Sequence, residues 1–187
     1  MATLLIKDCR RIARRAGLTA ALAAGIATLG AGARAEAQSQ VVYSHKAWEV
    51  QVVGFEDGTF ACLAQVTDGS RSFSMWSDAA DAVKLQFYDE SWDMGEGDTA
   101  DLSVEVDRRG AWTLTGADLH LQSVFFDIPD SNDGIRFMEE VMGGNLLYLN
   151  NDQGEQVESY SLAGSRASVG ALIECVNALK ADSNPFD

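Results

Sequence analysis

Apolar and polar side chains alternate through much of the chain, and the alternating runs are cut by turn signals. Trp48, Val50 and Val52 alternate with Glu49 and Gln51; Val83, Leu85 and Phe87 alternate with Lys84, Gln86 and Tyr88; Leu102, Val104 and Val106 alternate with Ser103 and Glu105. Period-two patterning requires one buried and one solvated sheet face. Asp57-Gly58 and Asp68-Gly69 sit between such runs, and Asp-Gly is a strong hairpin signal. The pattern predicts strands over 46–55, 59–67, 71–76, 82–88, 101–107 and 111–115, with one extended run over 118–126 and further strands over 145–149 and 156–162.

Two segments break the alternation. Asn132 or Asp133 is suited to cap a short helix over 134–142, which would turn Ile135, Phe137 (or Met138) and Val141 inward until Gly143-Gly144 stops it. From 165 to 181 the spacing becomes helical, with Val169, Leu172, Ile173, Val176 and Leu179 on one face. Ser165 would be the N-cap, and Lys180 complements the C-terminal dipole. The expected class is therefore α+β, mainly antiparallel β as a sandwich or curved sheet, with a short inserted helix and a C-terminal helix. A hydrophobic share of 47% with eight Phe, four Tyr and four Trp supplies a core and argues against disorder.

Charge is unevenly distributed. The first 35 residues carry Lys7, Arg10, Arg11, Arg14, Arg15 and Arg34 against the single acid Asp8, and an apolar run fills 18–31. Ala33-Arg34-Ala35 follows, so residues 1–35 read as a secretory signal peptide. The apolar run is shorter than the ~20 residues a membrane span needs. Ala35-Glu36-Ala37 is a second possible cleavage site. Cys9 precedes the apolar run and so is not placed for lipidation. The expected organisation is a signal peptide (1–35), a polar leader (36–45), one β-rich domain (46–181) and a flexible tail (182–187), located in the periplasm. Removing the leader moves the net charge from −14 to −19. That balance argues against nucleic acid, which is bound through cations, and against insertion in a membrane after cleavage. It favours a basic partner, such as a basic envelope protein; the homo-oligomeric state is left open.

After cleavage two cysteines remain, Cys62 and Cys175. In an oxidising compartment the pair reads as a structural disulfide. Neither belongs to a Cys-x-x-Cys motif, and neither has a His at ligand spacing. No catalytic set emerges. His45 and His120 read as solvent-facing strand residues, and Ser165 and Ser168 fail the Gly-x-Ser-x-Gly pattern. Residues 130–140 have an EF-hand flavour, but Pro129 falls where the first oxygen ligand must be. Neither a metal site nor a cofactor is therefore expected.

The most acidic segment, 89–101, holds Asp89, Glu90, Asp93, Glu96, Asp98 and Asp101 around Trp92. It is either a solvated loop or a recognition loop, with Trp92 as an apolar anchor inside an acidic rim. The candidate recognition residues are Asp89, Glu90, Trp92, Asp93, Glu96 and Asp98.

The order Trp48-x-Val50, Cys62 in the next strand, the stretch 137–149 with Gly143-Gly144 before a strand, and Ser161-Leu162-Ala163-Gly164-Ser165 leading into a helix resemble the invasion-associated locus B family. These are small, β-rich periplasmic proteins of alphaproteobacteria, usually treated as non-enzymatic and implicated in envelope or host interaction. The chain departs from that pattern in its acidic Trp92 segment and in placing Cys175 inside the final helix. The resemblance implies an exported, non-enzymatic interaction or structural protein and brings no catalytic motif. Two other expectations stand beside it: a small-ligand or divalent-cation binder using 89–101, and a hydrolase with dispersed carboxylates.

Overall fold

A computed structural model describes residues 38–183. The expected signal peptide and the last four residues lie outside them. Ten strands form one antiparallel sheet in the order β1-β2-β3-β4-β5-β8-β7-β6-β9-β10. They are β1 Gln38–His45, β2 Trp48–Gly54, β3 Phe60–Asp68, β4 Arg71–Asp78, β5 Val83–Asp89, β6 Met94–Val106, β7 Ala111–Leu121, β8 Ser123–Ile128, β9 Leu146–Asn150 and β10 Gln156–Ser161. Helix α1, Asn132–Gly143, is inserted between β8 and β9, and α2, Ser165–Ser183, follows β10. This is the mainly antiparallel α+β class expected from the alternation, built as a curved sheet.

The curvature follows from where the aromatic side chains meet. In a flat sheet, six strand spacings would separate β10 from β4 by roughly 29 Å. Instead the ring of Tyr160 in β10 lies 5.9 Å from those of Phe73 in β4 and Phe87 in β5. Phe73 stacks on Phe87 at 5.2 Å and meets Trp48 edge-on at 6.1 Å. Trp48 Nε1 donates to the Ser161 carbonyl at 3.2 Å, joining positions 113 residues apart. Outside the core, Arg71 at the start of β4 donates to Glu158 of β10 and to Asp68. The two ends of the sheet are thus held face to face by side chains. Core residues Val50, Cys62, Ala64, Met75, Leu85, Val104 and Leu147 line the concave side, all fully buried.

Helix α2 covers the β1–β4 part of that concave face, and α1 packs against α2. The Cys62–Cys175 disulfide bonds β3 to α2, as the cysteine count implied. The inward face of α2 runs through Val169, Leu172, Cys175 and Val176, which leaves Ile173 57% exposed rather than in the core. In α1, Phe137 and Val141 are buried as expected, but Ile135 is 60% exposed. Phe137 packs edge-on against Trp112 of β7, and Trp112 Nε1 donates to Glu140, so the buried stripe runs through 137 and 141.

Several boundaries differ from expectation. Residues 38–45, read as a polar leader, form β1 on the outer flank of β2; backbone pairing holds them, and only Tyr43 is even half-buried. The extended run 118–126 is two strands, reversing at Leu121-Gln122 with His120 opposite Ser123. Leu121 there adopts φ +53, a left-handed conformation usually supplied by Gly or Asn, so no turn signal was present to read. Helix α1 is capped by Ser131, whose side chain accepts from the Gly134 N–H, rather than by Asn132 or Asp133. The hydroxyl of Ser165 does not serve as a cap. It donates to the Val141 carbonyl at 2.7 Å, pinning α2 to α1. Gly144 does end α1, but with φ −87; a side chain there would collide with Val106 Cγ1 at 2.4 Å.

The disulfide closes a loop spanning almost the whole sheet, which makes stability sensitive to reduction. Replacing Cys62 and Cys175 together by alanine should lower unfolding free energy by about 2–4 kcal/mol, measured by urea titration. Conversely, the Tyr160 hydroxyl is buried without a hydrogen-bond partner. Tyr160→Phe should therefore leave stability unchanged or raise it by up to about 1 kcal/mol.

Candidate functional site

The acidic segment 89–101 is mostly structured. Asp89 ends β5 and is buried, and its carboxylate accepts the Ser91 N–H at 2.7 Å. Hydrogen bonds to Ser91, first through its hydroxyl and then through its backbone N–H, hold the Asp89 carboxyl below its ordinary range. Trp92, expected as a presented anchor, is half-buried and packs against the core, and its N–H donates to the Asp89 carbonyl. Glu90 and Asp93 lie on the connection to β6, whereas Glu96 and Asp98 lie within β6 itself. The segment is therefore less a loop than the start of a long hairpin. Strand β6 begins at Met94, not near 101, with register shifts between Met94 and Asp98 and between Ala100 and Leu102. Gly116, at φ +70, donates its N–H to Asp101 across the second irregularity. Exposed residues and two irregularities erased the alternation that would have revealed this strand. Among the described residues, no three acidic, His or Cys side chains converge as metal ligands would. His45 and His120 are exposed on strands, as expected.

The larger concavity lies elsewhere. Beyond the disulfide the concave face continues past the cover of the core, between the ends of β1–β3 and the C-terminal half of α2. There an open groove of about 970 Å³ is floored by Tyr43, Val52, Phe60 and Cys175 and flanked by Ala171, Ala178 and Leu179 of α2. Phe60 shares the strand parity of Cys62, Ala64 and Val66, yet it is 55% exposed, because among the described residues no element covers that end of the sheet. Val42 reaches the groove from β1. Among the described residues, the charged ones that line it are Asp78 and Glu174, so the rim is acidic. Asp78 also orders the β4–β5 turn by accepting the Ala80 N–H at 2.8 Å.

A second concavity, of about 490 Å³, shares Thr59, Phe60 and Asp78 with the first and extends across the convex face past Phe55, Trp76 and Phe125. Its polar groups are mutually engaged: Trp76 Nε1 donates to Gln86, Gln86 donates to Ser123, and Lys84 pairs with Asp127. Phe60, 55% exposed, lines both concavities, and Phe55, 43% exposed, lines the second. The alternation places both in strands; Phe60 begins β3, whereas Phe55 follows the end of β2 at Gly54. The exposure of Phe60 depends on how far α2 extends over the concave face. No protein-family model, curated protein or solved structure matches the chain.

Carboxylates also secure the scaffold away from the groove. Asp107, after β6, accepts the backbone N–H groups of Asn145 and Leu146, each at 3.0 Å, and so ties the β6–β7 turn to the start of β9. Those two bonds, Leu146 first, lower its pKa. Asp57 is lowered likewise by the Thr59 hydroxyl and N–H. Such groups add stability above their unfolded pKa, and that stability is lost as pH falls through the folded pKa. The domain should therefore weaken as pH drops below about 4. Asp107→Asn should destabilise it at neutral pH and flatten the acid limb of a stability-versus-pH curve from chemical denaturation.

Proposed function

We propose that the chain is an exported bacterial envelope protein that works in the periplasm by binding a basic protein partner, without catalysis of its own. In this reading residues 1–35 are the signal peptide, and the likeness to the invasion-associated locus B family reflects a shared role in envelope interactions. The observation that carries the proposal is the open apolar groove whose charged lining residues, among those described, are the carboxylates Asp78 and Glu174. Exposed apolar surface with a polar rim is the common anatomy of a protein-binding site, and an acidic rim favours cationic partners. The Cys62–Cys175 bond supports the compartment, because such cross-links persist where the environment is oxidising. The groove, rather than 89–101, supports partner binding, since Trp92 and Asp89 are taken up by internal contacts.

The groove's volume also falls within the range of small-ligand sites, which keeps a small apolar ligand as the second reading. A photo-crosslinking amino acid placed at Ala178, with another at Asp93, separates the alternatives in the native periplasm. The partner reading expects protein adducts from position 178 that weaken at high salt. Adducts only from position 93, or none from either position together with a thermal shift on adding small apolar compounds, would count against it.

A further inference from the structure

Strand β1 is an edge with unusual exposure. It pairs with β2 along one flank, and among the described residues nothing pairs along the other. Sheet edges are ordinarily blunted by Lys, Pro or an inward charge, yet Gln38–His45 contains no Pro, Lys, Arg, Asp or Glu. The opposite edge, β10, differs: Glu158 is engaged by Arg71, and the strand is folded over β4. The register of β1 skips one residue, because Val41 faces Gln51 and Tyr43 faces Val50. The residue left over, Val42, is a bulge and contributes to the groove. Bulges re-aim side chains in this way. Val41 and Val42 are 48% and 50% exposed.

A row of backbone donors and acceptors thus borders an apolar groove with an acidic rim. An extended polypeptide satisfies all three features together: its backbone matches the edge, and the side chains of its groove-side face, every second residue, bring apolar groups beside Val42 and Tyr43 and a cation toward Glu174. A small apolar molecule leaves the edge unpaired. A second copy of this chain, at net charge −19 without residues 1–35, brings like charge to an acidic rim. We infer that β1 and the adjoining groove bind an extended segment whose groove-side face carries both apolar and basic residues, which adds to the sheet as an eleventh strand beside β1. The inference rests on the partner-binding reading above and specifies the chemistry of the partner.

The probe is a labelled, end-capped peptide, Thr-Lys-Thr-Leu-Thr-Val-Thr-Lys, whose Lys, Leu and Val side chains share one face of a strand, titrated against the domain lacking residues 1–35 and followed by fluorescence anisotropy. Replacing every Lys by Glu should weaken binding about tenfold or more, and added salt should weaken the parent peptide. Two further analogues carry N-methyl groups on odd or on even residues. In an added strand only alternate N–H groups face the edge, so one analogue should lose about tenfold while the other retains affinity. Equal affinity of the two overturns strand addition. Ala178→Arg and, as a milder surface change, Glu174→Lys should each weaken binding, whereas Glu96→Gln with Asp98→Asn should not. Binding insensitive to both groove variants, or absent for every peptide, overturns the inference. The adducts from position 178 judge the broader reading separately, because they do not require the partner to be extended.

Discussion

The coil of the sheet depends on one aromatic junction. Trp48, Phe73, Phe87 and Tyr160 come from β2, β4, β5 and β10, and their contacts bring together strands that a flat sheet would keep far apart. Each ring removes a large apolar area from water, and offset and edge-on packing adds to that. Backbone pairing alone would leave the concave face open. With the junction formed, the strands β6, β9 and β10 curve round to share a core with β2–β5, and the Trp48–Ser161 hydrogen bond secures the closure.

Helix α2 completes what the sheet cannot close. It covers the concave face of β1–β4 as far as the disulfide, and the apolar face beyond that point is exposed as the groove. The cross-link limits how far the unfolded chain can expand, and it fastens to β3 the face of α2 that buries Leu172 and Val176, while Ala178 lines the groove. The proposed binding surface is a direct continuation of the core, so its aromatic and aliphatic floor needs no separate scaffold.

Strand identities were largely legible because period-two alternation reports a half-buried sheet, and it was strong wherever one face met the core. It failed where that asymmetry was missing. Residues 94–100 are mostly exposed and interrupted by register shifts, so the outer end of β6 resembled an acidic loop. Strand β1 is exposed along nearly its whole length and resembled a polar leader. The Leu121-Gln122 reversal lacked turn chemistry. Trp92 illustrates the corresponding difficulty for sites: an aromatic among acids can anchor a partner or pack on its own core, and local sequence is the same in both cases. Phe60 had the parity of a core residue, and only the reach of α2 made it surface.

By itself the sequence determined the antiparallel β-rich class, the inserted and C-terminal helices, and the Cys62–Cys175 pairing. The reason is that these depend on local periodicity, turn propensity and the count of available thiols. Tertiary structure decided which strands are edges, how strongly the sheet coils, and which apolar residues the core leaves uncovered. Those properties arise from long-range contacts, such as Tyr160 on Phe73 and Ser165 on Val141, that no local pattern encodes.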